Sequence, residues 1–284
     1  MGDLILLTGV DGYVGSRLAA PLSGRGDVLG VSRRPGASTP CDVSDPTAVA
    51  ALARQVTPTA IVHAAGTKDI RACAQQPSLA FDANVRTTLN LLDAFPGVPL
   101  IYVSTDYVFA GDRGQYTEDD VTGPRTTYGH SKLTAEQVGR LRAPDEFCAV
   151  RVSALYDGDA TFLRFLRDQL TAGTAVDCYE DAYYSPTALP DFVAAIGQLL
   201  DAGATRPGVV HVAGPRISRY GFACAYAAAF GHDPALVVPT RLGPGPVPLF
   251  PDLSLDTTLA RSALDFRPSS HEEALDALAE RRLA

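Results

Sequence analysis

The chain has 284 residues, 46% of them hydrophobic and 20% charged, and a formal net charge of −8, a balance that excludes a general nucleic-acid binder, whose footprint would be basic. Its five cysteines (Cys41, Cys73, Cys148, Cys178 and Cys224) are scattered, with no Cys-x-x-Cys or Cys/His cluster, so neither a disulfide framework nor a metal site is indicated. No apolar run approaches the roughly 18 residues that a membrane span needs, and the first residues enter an apolar strand without a charged leader, so the expectation is a soluble cytoplasmic protein with no membrane partner.

Leu4–Leu7 is a continuous apolar run, as expected of a parallel strand covered on both faces. Thr8-Gly9-Val10-Asp11-Gly12-Tyr13-Val14-Gly15 follows, and then a helical pattern through Val14, Leu18, Ala19 and Leu22. Strand, glycine-rich turn and helix form a cofactor-binding pattern: the glycines let backbone amides approach a pyrophosphate, which the helix N-terminus attracts. Asp27–Ser32 reads as the second strand and ends in Ser32-Arg33-Arg34. An acidic residue at this point suits NAD and an arginine suits the 2′-phosphate of NADP, so Arg33 and Arg34 favour NADPH over NADH.

Cys41-Asp42-Val43 is a short extended stretch, with Asp42 and Val43 expected beside the adenine. Ser44 is expected to cap a helix that carries an early proline, Pro46, and runs to about Gln55. Ala60-Ile61-Val62 is a strand that opens into His63-Ala64-Ala65-Gly66, small residues where a backbone passes close to a cofactor. His63 reads as a packed strand-end histidine. Pro77–Phe95 reads as one long helix. Within it Asn84, a poor helix former, is expected to hold a water or a backbone carbonyl near the site.

Leu100–Val103 is the fourth strand and delivers Ser104 and Thr105 to the carboxyl end of the sheet, where open α/β sheets place their chemistry. The next helix carries Tyr128 and Lys132, four residues apart and so on one helix face. Lysine is rare here, Lys68 and Lys132 being the only two, so the pairing stands out from chance. The expectation is that the Lys132 cation lowers the Tyr128 pKa and lets the phenol act as an acid or base near neutral pH.

Phe147–Val152 is the fifth strand. Beyond it come helices at Phe162–Leu170 and Asp191–Leu200, a turn at Ser185-Pro186-Thr187, a late strand at Val209–Val212, an irregular stretch at Leu242–Pro251 and a final helix at Glu272–Leu283. The alternation of strands and helices up to Val152 argues a doubly wound parallel sheet. The expected division is a cofactor-binding domain at 1–153, to which 188–213 returns, and a smaller lobe from 154–187 and 214–284.

With Thr8-Gly-x-x-Gly-x-x-Gly15, Asn84, Thr105 and Tyr128-x-x-x-Lys132 in place, the chain resembles the extended short-chain dehydrogenase/reductase family. Ser104-Thr-Asp-Tyr-Val-Phe109, Tyr116-x-Glu118, Tyr128-Gly-x-Ser-Lys132, Arg151-x-Ser153 and Ser185-Pro-Thr187 bring it nearest to the dTDP-4-dehydrorhamnose reductases within that family. The resemblance covers essentially the whole chain. It implies a Rossmann-type fold with a smaller C-terminal substrate lobe, and catalysis by Thr105, Tyr128 and Lys132. It also implies cofactor contacts at Gly9, Asp11, Gly12, Tyr13, Val14, Gly15, Ser32, Arg33, Arg34, Asp42, Val43, Ala64, Ala65, Gly66, Asn84, Tyr128 and Lys132. Substrate contacts are implied at Ser104, Asp106, Tyr107, Val108, Ser153, Pro186 and Thr187. Two stretches, Gly66-Thr67-Lys68-Asp69 and Ala154-Leu155-Tyr156, depart from the rhamnose-enzyme pattern, so the sugar is left open.

The leading expectation is therefore an NADPH-dependent reductase of the 4-keto group of a nucleotide-linked deoxysugar, acting as a monomer or homodimer. Two alternatives stand beside it: an epimerase or dehydratase with bound NAD, and an NADP-binding regulatory subunit without turnover.

Overall fold

The computed structural model describes residues 3–34, 39–203, 208–243 and 249–283. Seven parallel strands form the central sheet. The first six are β1 (Leu4–Thr8), β2 (Asp27–Ser32), β3 (Thr39–Pro40), β4 (Ala60–His63), β5 (Leu100–Thr105) and β6 (Phe147–Val152), and Val209–His211 lies outside β6. Counted with the last strand as seven, the spatial order is 7-6-5-4-1-2-3. The order reverses between β1 and β4, which places a crevice at their carboxyl ends.

The strands are apolar throughout because both faces are covered. Ile5, Leu7, Val62, Ile101, Cys148 and Val150 face one layer, where α1 (Gly15–Leu22) and the helix Leu189–Asp201 add Leu18, Leu22, Phe192 and Ile196. Leu6, Ile61, Leu100, Tyr102, Phe147 and Ala149 face the other layer, with Val49, Leu91 and Ala135 from the opposing helices. Each fully buried Leu, Ile or Phe contributes about 1.5–3 kcal/mol of transfer free energy. A third cluster stands apart from the sheet: Tyr156, Leu163, Leu166, Leu170, Phe222, Tyr226 and Leu275. Ala260, Leu264 and Phe266 pack with the first cluster under the sheet. The expected lobe at 214–284 therefore contains one segment that belongs with the sheet's core.

Several local expectations are corrected. The short extended stretch is Thr39–Pro40, paired with Val31 and Ser32 at the sheet edge, where a proline is tolerated. Cys41–Val43 does not extend because Asp42 turns the chain, its carboxylate accepting from the Ser44 amide at 3.0 Å and hydroxyl at 2.7 Å. Ser44 is thereby occupied, and Asp45 caps the helix α2 (Pro46–Ala53) through the Thr47 amide at 2.8 Å. A helix the sequence reading passed over, α3 (Ile70–Gln75), is capped by Asp69 through the Ala72 amide at 2.9 Å.

The expected helix Pro77–Phe95 is present in three parts: α4 (Pro77–Phe81), a wider π-turn at Asp82–Arg86, and α5 (Thr87–Ala94). Asn84 sits in the π-turn. The helices after β6 are Thr161–Thr171, Leu189–Asp201, Arg219–Ala229, Thr258–Ala263 and His271–Leu283. A strand unforeseen in the proline-broken region, Val237–Thr240, pairs in parallel with Val176–Tyr179. Of the irregular stretch Leu242–Pro251, residues 244–248 lie outside the described residues.

Candidate active site

The site begins with a change of face. Successive strand residues point to opposite sides of a sheet, so Ser104 and Thr105 at the end of β5 send their hydroxyls to different surroundings. Thr105 lines a cavity of about 660 Å³ at the carboxyl end of the sheet. Its Oγ1 lies 3.0 Å from Asp106 Oδ1 and accepts from the Tyr107 amide at 3.3 Å. The long helix α6 (Thr127–Arg142) starts beside it, capped by Thr126 through the Gly129 amide at 3.0 Å. One turn apart on α6, Tyr128 and Lys132 face the same cavity. The Tyr107 ring meets the Tyr128 ring edge-on at 5.8 Å.

Burial is the largest influence on Tyr128 and pushes its pKa well above that of a free phenol; a hydrogen bond with Thr105 pulls it down, and Asp106 pushes it further up. Burial lowers Lys132 to about 7, against the pull of Glu136. The Lys132 Nζ donates to the Val103 carbonyl at 2.6 Å and lies 4.1 Å from the Tyr102 ring centroid. The expectation that Lys132 lowers the Tyr128 pKa is corrected accordingly: the ammonium is committed to Val103, and desolvation weakens its charge. At neutral pH Tyr128 holds its proton, which suits a donor. Asp106 is also buried; desolvation raises its carboxyl to about 6, against hydrogen bonds from Ser153 and Thr105 and the charge of Arg219.

On one side of this floor lies the glycine-rich turn. Gly9 has φ +70°, and a Cβ there would stand 2.7 Å from the Ala65 amide nitrogen. A Cβ on Gly15 would stand 2.2 Å from the Gly9 carbonyl oxygen. The turn and the Ala64–Gly66 segment thus close on each other through bare backbone, and Gly12, Tyr13, Val14, Ala64, Ala65 and Gly66 line the cavity. Gly9 and Gly15 shape the turn from behind. Arg34 reaches the Asp11 carbonyl at 3.5 Å, and its amide donates to Ser32 Oγ at 3.2 Å. Arg33 is exposed and lowers the Asp42 pKa together with the Ser44 bonds. Asp11, Ser32, Arg33, Arg34 and Asp42 thus share one rim beside the turn. Val43 is buried in the core, and its carbonyl accepts from Asn90 at 3.0 Å.

Asn84 does not reach the cavity, contrary to the expectation of a direct cofactor contact. It is fully buried; its Oδ1 accepts from the Thr67 amide at 3.1 Å, and its Nδ2 donates to Thr67 O at 3.3 Å and to Ser131 Oγ at 2.9 Å. The π-turn points it away from the helix ladder and toward the segment that follows Gly66. It staples the cofactor-side loop to α6. His63 is packed: its Nδ1 lies 2.7 Å from Thr8 Oγ1 and its Nε2 3.1 Å from Thr87 Oγ1, and burial lowers it to about 3.

On the other side the structure gathers Asp106, Tyr107, Ser153 and Pro186 along the cavity. Ser104 also lines the cavity, although its hydroxyl donates to the Glu136 carboxylate. Two expected substrate contacts are corrected. Val108 is buried with Phe109, Tyr116 and Phe250. Thr187 is buried, and its hydroxyl donates to Ser153 O at 3.0 Å. The cavity also draws on Lys68 and Tyr156, from the two stretches that depart from the family pattern, and on residues that sequence reasoning missed, among them Phe162, Tyr183, Tyr184 and Arg219. The cue available was composition: aromatics and arginines recur at 156, 162, 183, 184, 216 and 219. The Tyr184 hydroxyl is buried without a hydrogen-bond partner among the described residues, and the Arg219 guanidinium lies 4.7 Å from its ring centroid.

Behind the floor runs a closed charge network. Arg151 donates to Glu136 at 2.8 Å and at 3.2 Å to each carboxylate oxygen. Its Nη1 lies 3.4 Å from His211 Nε2, while His211 Nδ1 meets the Tyr116 and Asp256 carbonyls at 3.1 and 3.2 Å. The His211 amide donates to Glu118 at 2.8 Å. Among the described residues no group of three or more His, Cys, Asp or Glu side chains could hold a metal ion, and no helix is long and apolar enough to cross a membrane.

A doubly wound sheet, a glycine-rich turn at its switch point and Thr105, Tyr128 and Lys132 at the floor define a dinucleotide-binding protein of the extended short-chain dehydrogenase/reductase class. More narrowly, the chain belongs to the family described as the RmlD substrate binding domain, whose pattern matches residues 3–283. It is 34% identical over 247 residues to a dTDP-4-dehydrorhamnose reductase of Mycolicibacterium smegmatis, covering 84% of this chain and 73% of that protein. It is also 32% identical over 200 residues to methionine adenosyltransferase 2 subunit beta of Xenopus laevis, covering 66% and 59% of the two chains. In fold it is similar to the Bacillus anthracis dTDP-4-dehydrorhamnose reductase solved in complex with NADP, with a TM-score of 0.88, 23% identity and 99% of each chain covered.

Proposed function

We propose that this protein is an NADPH-dependent reductase of the 4-keto group of a nucleotide-linked deoxysugar. The observation that carries the reading is the joint placement of Thr105, Tyr128 and Lys132 on one wall of the cavity whose other wall is the glycine-rich turn. The dinucleotide fits the residues present, because the cavity wall at Gly12, Ala64, Ala65 and Gly66 carries no side chain larger than a methyl group. Gly12–Val14 and Ala64–Gly66 would hold it, with Arg33 and Arg34 toward the 2′-phosphate. The mycobacterial relative's name and the NADP complex of the Bacillus protein support the choice of cofactor and substrate class.

When bound, the cofactor supplies hydride. Tyr128, protonated at neutral pH, gives its proton to the oxygen of the ketone as charge develops there. Thr105 donates a hydrogen bond to the same oxygen, a preorganised contact that strengthens with the charge. Lys132, held at Val103, lies along the cofactor side of the floor. Asp106, Tyr107, Ser153 and Pro186 face the sugar, and residues 154–187 with much of 214–284 form the substrate lobe. The intact Thr105, Tyr128 and Lys132 set favours turnover over the regulatory role of the methionine adenosyltransferase subunit.

Titration of the purified protein with NADPH and with NADH, followed by nicotinamide fluorescence, tests the cofactor. Oxidation of NADPH on addition of dTDP-linked 4-keto deoxysugars tests the reaction. Preference for NADPH with ketone-dependent oxidation supports the proposal. Equal affinity, or NAD retained through purification, would move the epimerase or dehydratase reading ahead.

A further inference from the structure

We infer that Tyr102 is a positioning residue for Lys132: the face of its ring keeps the buried ammonium charged and seated at the cavity floor. The inference rests on the reductase reading above, in which Lys132 serves the cofactor side, and adds a role for a residue that does not itself line the cavity. Tyr102 stands two residues before Ser104 on β5 and so on the same face of the strand, the face that packs against Ala135 of α6. It is fully buried. His63 and Phe147 wedge its ring, with centroids at 5.5 and 5.9 Å. The Lys132 Nζ lies over the ring, 4.1 Å from its centroid, while donating to the Val103 carbonyl at 2.6 Å.

The ammonium needs such a neighbour. It is 6% exposed, and burial disfavours its charged form. It carries three donors, and Val103 takes one. Glu136, one turn further along α6, is spent elsewhere: Ser104 donates to it, and Arg151 reaches both of its oxygens. Among the described residues Lys132 makes no ion pair within 4.0 Å. The other titratable groups that face it are Tyr128, one turn before it on α6, and His63 of β4. Burial keeps the first protonated and the second uncharged at neutral pH, so neither supplies negative charge.

What remains is the electron-rich face of an aromatic ring, whose attraction for a cation grows as water is excluded. The Tyr102 hydroxyl has no hydrogen-bond partner among the described residues, so the ring and not the hydroxyl is what the site uses. Lys68 makes the contrast: it lies 4.8 Å from the Tyr13 ring centroid but is exposed, so water solvates its charge as well.

The test follows the charge of Lys132 directly. Isotope-labelled lysine gives two side-chain NMR signals, because Lys68 and Lys132 are the only lysines, and Lys68→Arg assigns them. Tyr102→Phe keeps the ring; a trifluorinated phenylalanine at the same position keeps its shape and withdraws charge from its face. The Lys132 signal is expected to titrate near 7 in the wild type and in Tyr102→Phe. With the fluorinated ring it is expected about one pH unit lower, since the charged form loses its partner. The fall of kcat as pH rises past that point should move with it. A Lys132 titration that ignores fluorination would overturn the inference, as would Tyr102→Phe shifting it as far as the fluorinated ring does. A kcat profile that stays in place while the titration moves would overturn the role in the reaction. An inactive wild type whose Lys132 titration still follows the ring would overturn only the reductase reading.

Discussion

Ser104 and Thr105 are neighbours on one strand, and their surroundings have opposite characters. Below the floor, the Ser104 hydroxyl joins Glu136, Arg151 and His211 in a network where each charged group meets its complement. On the floor, Thr105 joins Asp106 and Tyr128, whose pKa values burial pushes up, and the nearby Tyr184 hydroxyl has no partner among the described residues. Buried polar groups that are fully paired hold a fold in one arrangement, while those left poised are available for chemistry. The difference separates residues that make the site possible from residues that use it.

The largest expected effect breaks the upper half. Tyr128→Phe removes the proton donor and should lower kcat by about 10²–10⁴-fold, with thermal stability and NADPH binding retained; ketone-dependent NADPH oxidation measures it. Next, Glu136→Ala breaks the lower half by leaving Arg151 buried without its carboxylate. A loss of about 3–5 kcal/mol in urea unfolding is expected, and unchanged stability would mean that the network is not closed in solution.

A graded effect comes from acid. His63 and His211 are both lowered by burial to about 3, against an ordinary value of 6.5. Between those values the unfolded chain binds protons that the folded chain does not. Stability is therefore fully present above pH 6.5 and falls as pH drops toward 3, by up to about 1.4 kcal/mol per pH unit for each histidine. Asp106, raised from 3.8 to about 6, acts in the opposite sense within part of that window. Denaturant midpoints measured down the pH scale test the sum, and His211→Asn should flatten the curve if the variant folds.

The sheet was legible because parallel strands buried on both faces announce themselves as short apolar runs between turns, and the glycine-rich turn sits in the context that gives it meaning. Thr105, Tyr128 and Lys132 were legible from spacing. Pairing partners were not. Nothing in Arg151-x-Ser153 or Tyr116-x-Glu118 says that Arg151 closes on Glu136 or that Glu118 accepts from the His211 amide, since these contacts join residues 15 and 93 positions apart. Val108 and Thr187 share runs with cavity residues yet face the core, which strand alternation and tertiary packing decide. The lobe-side wall came from segments of weak periodicity, and Asn84 was visible as an oddity whose purpose, stapling Thr67 to Ser131, depends on the π-turn.

The most direct measurement pairs the two neighbours: Ser104→Ala and Thr105→Ala, each assayed for kcat with a 4-keto nucleotide sugar and for unfolding free energy. The account predicts that Thr105→Ala loses about 10²-fold in kcat at near-native stability, while Ser104→Ala keeps its turnover and loses about 1–3 kcal/mol of stability by leaving a Glu136 oxygen short of a partner. The reverse pattern, turnover lost with Ser104 and kept without Thr105, would contradict the division of the floor into a structural and a chemical side.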